Sequence, residues 1–335
     1  MNYSQILETE EAISLVKESF QKHLSAKLNL AGVSSPIAVL EGTGINDDLN
    51  GVERPVSFPV KALREQRAQV VHSLAKWKRI RLMQMGIEPG RGILTDMRAL
   101  RPDEEYTNLH SVYVDQWDWE QCIEENERTL VKLKDAVAKV YGSLKETETD
   151  VSERYPWIER VLPEEIRFIH SEELLRRYPG LTAKERESEA AKEFGAVFLA
   201  GIGGELSDGK PHDGRAPDYD DWSSANEDGY YGLNGDIIVW HPVLECPLEL
   251  SSMGVRVDSD ALIRQLKIMG CQKRSSLLYH KLLLEGRLPQ TIGGGIGQSR
   301  VCMFMLKKRH IGEVQVGIWS DEQRQNMSVK GVELL

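Results

Sequence analysis

Residues 111–119 read SVYVDQWDW, and their polarity alternates with a period of two. Successive side chains of a strand point to opposite faces. Val112, Val114, Gln116 and Asp118 therefore share one face, and Ser111, Tyr113, Asp115, Trp117 and Trp119 share the other. An amide and a carboxylate beside two valines fit a ligand-facing hairpin better than a solvated one. Further strands are predicted at 37–40, 56–60, 69–72, 196–202, 236–243 and 247–257. Helices are predicted at 10–28, where Ile13, Val16, Phe20, Leu24 and Leu28 form one apolar stripe, at 74–85, and from the end of the alternating strand to about 145. Another starts at Thr182, which makes a capping box with Glu185, and a final one spans 298–308. Strands dominate the middle and end without regular βαβ alternation. This predicts an α+β fold with a mainly antiparallel sheet rather than a doubly wound one. No Pro/Gly/Ser-rich linker divides the 335 residues, so a single domain with helical insertions is expected over 1–335, its core at about 8–320.

Forty-two lysines and arginines stand against 52 aspartates and glutamates, a net charge of −10. No basic run is longer than Lys307-Lys308-Arg309, which argues against nucleic acid as a main partner. Cys122, Cys246, Cys271 and Cys302 are widely spaced and form no CxxC pair or zinc pattern, so unpaired thiols in a reducing compartment are expected. No targeting segment opens the chain, and no apolar run is long enough to span a bilayer. A cytoplasmic protein with no membrane partner is the expectation.

Five segments carry candidate chemistry. In 99–120, Arg101 ends a strand, Asp103, Glu104 and Glu105 occupy a turn, and His110 precedes the alternating strand; Arg101, Gln116 and Asp118 could face one ligand. An arginine fork suits phosphate or carboxylate oxygens. In 288–300, LPQTIGGGIGQSR, the glycines read as a turn that allows close approach and positive φ, ahead of a helix with Arg300 in its first turn. Alone this signal is weak, because it lacks both a P-loop ending and a Rossmann context. In 232–257, Asp236 and Glu249 lie on successive strands near Ser252 and Arg256, a donor set suited to Mg²⁺ carried with ATP, or else ordinary strand positions. In 209–222, GKPHDGRAPDYDDW offers Arg215, Asp218, Asp220 and Asp221 on either a substrate lid or a solvated loop. HSLAKWKR, at 72–79, reads as an anion-binding helix start or as a surface helix.

Taken in order, HSLAKWKR, ALRPDE, LHSVYVDQWDWE, RAPDYDDW, GLNGDI, ELSSMG and PQTIGGGIGQSR resemble the ammonia-dependent asparagine synthetases (aspartate–ammonia ligases), a family with a class II aminoacyl-tRNA synthetase-like core. The resemblance runs from the first helix to about Trp319. It implies a homodimer, each subunit built on a mostly antiparallel eight-stranded sheet flanked by helices. The implied reaction joins L-aspartate, ATP and ammonia into asparagine, AMP and pyrophosphate through β-aspartyl-adenylate. By motif position it implies Arg101 and Arg300 at the phosphates, Asp236 and Glu249 with Mg²⁺, and Ser252 and His110 near the nucleotide. Lys78, Arg215 and Arg256 would meet the carboxylates of aspartate, Gln116, Asp118 and Asp220 its amino group, and Ser73 would add a hydroxyl. Asp47, rather than Asp48, would serve the ammonia step. Glutamine-using asparagine synthetases rely on an N-terminal cysteine, whereas this chain opens Met1-Asn2 and has no cysteine before Cys122, so free ammonia is the expected donor. The tail after Trp319 has no counterpart in the pattern. The alternative is a class II synthetase paralogue that adenylates an amino acid for tRNA or a carrier protein.

Overall fold

The computed structural model describes residues 3–47 and 53–335. In chain order, α1 (Tyr3–Leu28) leads into β1 (Leu30–Gly32), β2 (Ala38–Leu40), β3 (Ser57–Val60) and β4 (Gln66–Val70). Then come α2 (Ala75–Met85), β5 (Gly92–Leu100), β6 (Tyr113–Cys122), α3 (Leu130–Arg154), β7 (Arg167–His170) and α4 (Ser171–Arg177). The chain continues through α5 (Ala183–Phe194), β8 (Ala196–Ala200), β9 (Asn234–His241), β10 (Cys246–Val255) and α6 (Ser259–Ile268). It ends with α7 (Leu278–Leu284), β11 (Thr291–Gly297), α8 (Gln298–Met305) and α9 (Asp321–Val329).

Eight strands form one sheet in the order β1-β5-β6-β11-β10-β9-β8-β7. The inner pairings are antiparallel and both edge pairings, β1 with β5 and β7 with β8, are parallel. The sheet is therefore mixed, and the expectation of a mainly antiparallel one holds for its interior. At each edge a long connection separates two strands that pair in parallel, a crossover that local sequence does not announce. β2, β4 and β3 make a separate three-stranded sheet.

The period-two pattern of β6 sorts the two faces. Trp117 and Trp119 are 1% and 0% exposed and pack among Val16, Phe20, Leu24 and Leu28 of α1 and the apolar side of α3. The Phe20 and Trp117 rings lie 4.5 Å apart. The stripe expected on the first helix is thus the core stripe, although the helix starts earlier, at Tyr3. The opposite face of β6 carries Gln116, Asp118 and Glu120 and is covered by α2. Lys76, Lys78 and Arg79 of that helix are buried rather than solvated, which overturns the surface-helix alternative. All four cysteines are free; Cys122 and Cys302 are buried, and Cys246 and Cys271 only partly so. Among the described residues, no helix is long and apolar enough to cross a membrane.

Two sequence expectations change form. The glycines of LPQTIGGGIGQSR are not a turn: they form β11, and none of Gly293, Gly294, Gly295 and Gly297 has positive φ. Their use is close approach. A Cβ on Gly293 would sit 2.0 Å from Glu120 Oε2, and one on Gly295 would sit 2.5 Å from Gln116 Oε1. The polar side chains of β6 lie over β11 in the space those glycines leave. The helix expected to be last, α8, is followed by α9, which is N-capped by Ser320 in a capping box with Gln323.

Candidate active site

The polar face of the sheet opens into a cavity of about 620 Å³. Twelve of the fourteen candidate residues line it: Asp47, Ser73, Arg101, His110, Gln116, Asp118, Arg215, Asp220, Glu249, Ser252, Arg256 and Arg300. Lys78 and Asp236 do not reach its surface. Asp48 lies outside the described residues.

The floor is an ionic lattice. Lys78, fully buried, bonds to Asp118 and lies 3.4 Å from Glu120 Oε2. Asp118 Oδ2 also accepts the Leu74 N–H at 3.3 Å, so the anion received at the start of α2 is a carboxylate of the chain itself. Arg256 donates to Glu120 through Nε at 2.9 Å and Nη2 at 2.8 Å, and bonds to Asp220 through Nη1. Thr291 Oγ1 donates to Glu120 Oε1 at 2.7 Å. Burial alone would raise Glu120, but Arg256 and then Lys78 outweigh it and hold the carboxyl below the usual range. Burial leaves Asp220 above its usual value in spite of Arg256. Three carboxylates here meet two cations, so the floor carries one uncompensated negative charge.

The other end of the cavity is more open and carries the arginines. Arg101, directly after β5, donates Nη2 to the His72 carbonyl at 3.2 Å. Arg300 donates Nη1 to the Glu249 carbonyl at 3.0 Å and lies 3.8 Å from its carboxylate. The first turn of α8 is already occupied, because the Ser299 N–H donates to Asp115 Oδ1 at 3.0 Å. Gly297, Ser299 and Arg300 at the start of α8 line the cavity, and Arg300 supplies the positive charge there. Burial first, and then the nearby Arg300 charge, lower the His110 imidazole to about 4, so it stands neutral beside two arginines at pH 7. Glu249 and Ser252, three apart in a strand, would normally face opposite sides. A bulge between Glu249 and Ser251 turns both to the cavity.

Arg215 Nη2 bonds to Asp236 Oδ1 at 2.5 Å, and Ser252 stands opposite Asp236 in the β9–β10 ladder. Burial raises the Asp236 carboxyl well above the usual range, the Glu249 charge adds to this, and Arg215 only partly offsets it. Asp236 and Glu249 are hard oxygen donors of the kind a divalent cation takes, and each now faces an arginine, Arg215 and Arg300, that such a cation would displace. Asp47 is 3% exposed, and its loop is fixed by Asn46. Asn46 Oδ1 accepts the backbone N–H groups of Asp47 at 3.0 Å and His72 at 2.9 Å, while Nδ2 donates to the Val70 carbonyl at 3.2 Å.

The segment 217–222 is neither a lid nor a solvated loop. Asp218, Asp220 and Asp221 are each about 1% exposed or less, and each is held by a cation from a different element: Lys76, Arg256 and Arg128. Its backbone bonds to the end of β10, with Asp221 N–H to the Val255 carbonyl and Val257 N–H to the Tyr219 carbonyl, both 2.9 Å. Glu120 is the residue that sequence reasoning missed. Its signal was present, since it extends the Gln116, Asp118 alternation by one more step.

A family model of aspartate–ammonia ligases matches residues 7–331. The chain belongs to the aspartate–ammonia ligase family. It is 54% identical over 335 residues to the aspartate–ammonia ligase of Parabacteroides distasonis, covering 100% of this chain and 96% of that one. It is 53% identical over 328 residues to that of Clostridium perfringens, covering 98% and 95%. The match reaches into α9, so the tail after Trp319, which had no counterpart in the motif pattern, belongs to the family's length. Among solved structures it is similar to the asparaginyl-tRNA synthetase of Pyrococcus horikoshii complexed with asparaginyl-adenylate, with a TM-score of 0.66 at 17% identity, covering 92% of this chain and 68% of that one. An asparaginyl-tRNA synthetase of Entamoeba histolytica gives 0.65 at 14%, covering 93% and 67%. These likenesses establish the class II aminoacyl-tRNA synthetase fold.

Proposed function

We propose that this chain amidates L-aspartate with ammonia at the expense of ATP, through β-aspartyl-adenylate, releasing AMP and pyrophosphate. The observation that carries the reading is the division of one cavity into a buried acidic floor and an arginine-bearing end, in a chain of this family. A floor with one uncompensated negative charge suits the α-ammonium of aspartate, with Asp118, Asp220 and Gln116 as its acceptors. Ser73 and Arg256 border the same floor. Lys78 acts from beneath by holding Asp118 and Glu120, and Arg215 by holding Asp236.

In the first step a β-carboxylate oxygen forms a bond to the α-phosphorus, and the bond to the bridging oxygen breaks as pyrophosphate leaves. Arg101 and Arg300 offset the charge that builds on the phosphoryl oxygens, a role that works best from fixed donors in a water-poor site. Neutral His110 lies near both without adding repulsion, and Ser252 borders the same end. Glu249, on the cavity wall, would hold Mg²⁺ with the phosphates, joined by Asp236 on exchange of its Arg215 partner, and the cation would supply further charge neutralisation. In the second step ammonia attacks the acyl carbon and AMP departs with the bonding electrons. Ammonium dominates at pH 7, so a base must first take its proton; Asp47, at the cavity wall, is the group in this role. The chain works as one catalytic domain, and a cytoplasmic homodimer is the assembly we propose. The test is product formation from aspartate, ATP and Mg²⁺ with ammonium as the nitrogen source.

A further inference from the structure

One buried ionic cluster takes no part in that mechanism. Lys76 Nζ of α2 lies 3.1 Å from Asp218 Oδ2, and His280 Nε2 of α7 lies 3.0 Å from the same oxygen. Arg274 Nη1 approaches it at 3.6 Å. Lys76, Asp218 and His280 are at most 2% exposed, and none of them lines the cavity. Buried ion pairs contribute little net stability, because desolvation offsets attraction, but their geometry is restrictive. The question is what geometry this one fixes.

Two cavity segments meet at His280. On one side Asp218 precedes Tyr219 and Asp220, both on the cavity wall. On the other side the imidazole lies against the loop that carries Asp47. A Cβ on Gly44, whose φ is +71°, would stand 3.0 Å from His280 Nδ1, 3.1 Å from its Cε1 and 2.9 Å from Leu277 Cβ. The same loop is tied to α7 where the Tyr279 N–H donates to the Thr43 carbonyl at 3.2 Å. The imidazole therefore fills the space between the Asp47 loop and the segment bearing Tyr219 and Asp220.

We propose that His280, oriented by Asp218 and Lys76, is a positioning residue for the ammonia step, setting the separation between Asp47 and the Tyr219–Asp220 wall. This rests on the ligase reading above. Asp220 is held separately by Arg256, whereas the Asp47 loop packs directly on the imidazole, so a shift here falls on the Asp47 side and on the second step. Misplacing a reacting group by about 1 Å costs on the order of 100-fold in rate.

The test compares two readouts of the full-length enzyme: aspartate-dependent ATP–pyrophosphate exchange, and kcat/KM for ammonium. His280→Ala should keep exchange within roughly threefold while kcat/KM for ammonium falls roughly 30- to 100-fold. His280→Gln, which can place an amide N–H near the original Nε2, should recover most of that loss. Gly44→Ala presses on the same contact from the other side and should give the same split; it decides the matter if His280→Ala does not fold. Equal loss of both readouts, or no loss in either, overturns the proposal. A wild-type enzyme that makes no asparagine from ammonium would instead overturn the ligase reading, a distinguishable failure.

Discussion

Alanine substituted at two glycines of β11, two residues apart, should have unlike effects. At Gly293 the new Cβ would fall 2.0 Å from Glu120 Oε2 and 2.6 Å from the Trp119 carbonyl oxygen. Neither can move cheaply, because Glu120 is gripped by Arg256, Lys78 and Thr291, and Trp119 is in the ladder. Overpacking a core costs about 1–3 kcal/mol, and breaking a buried ion pair costs about 3–5 kcal/mol. Gly293→Ala should therefore destabilise the fold by roughly 3–5 kcal/mol. At Gly295 the three nearest atoms all belong to the amide end of Gln116, with Oε1 at 2.5 Å. That side chain can swing into the cavity, so Gly295→Ala should cost about 1 kcal/mol or less in stability. It should instead raise KM for aspartate roughly tenfold, the equivalent of one lost hydrogen bond of about 1.4 kcal/mol. Urea unfolding midpoints at a common m-value, together with aspartate titrations, read both quantities. Equal destabilisation, or a greater loss at Gly295, would refute the view that the glycines exist to admit particular β6 side chains.

Other outcomes follow from the same geometry. Arg300→Ala should abolish or lower pyrophosphate exchange by about 100- to 1000-fold with the fold intact; wild-type exchange would contradict its place at the phosphates. Asp47→Asn should leave exchange standing and lower ammonium-dependent turnover by about 100-fold or more, whereas equal loss of both steps would remove Asp47 from the ammonia step. The His110 imidazole, held at about 4 in the folded chain against an ordinary 6.5, accepts its proton in the unfolded state first as pH falls. Stability should therefore decline between pH 6.5 and 4 more steeply in the wild type than in His110→Gln. Parallel curves by thermal melts across that window would show that burial does not shift this imidazole.

Periodicity made the core face legible in the sequence. The α1 stripe and the two tryptophans of β6 recur at the spacing their elements require, and burial follows directly. Much of the polar face was legible too, because Gln116 and Asp118 broke the expected apolar alternation of a buried strand. What stayed hidden depends on partners far away in the chain. The glycine run looked like a turn because glycine's freedom is its usual use; its role as a gap for Glu120 and Gln116 appears only when β6 is laid beside β11. The bulge that puts Glu249 and Ser252 on one face depends on the register with β9. The acids at 218, 220 and 221 read equally as a lid or a solvated loop, because their partners Lys76, Arg256 and Arg128 come from elsewhere in the chain. The parallel edges were equally silent, since β1 and β7 are three and four residues long and find their neighbours only after a helix or more of intervening chain.

The most direct test is aspartate-dependent formation of AMP from ATP and Mg²⁺, with ammonium and glutamine compared as nitrogen donors and the amino-acid product analysed. Asparagine, AMP and pyrophosphate in equal amounts with ammonium, and no asparagine with glutamine, is the predicted result. Pyrophosphate exchange without asparagine would contradict the account and identify an adenylating enzyme that hands its acyl group to another acceptor.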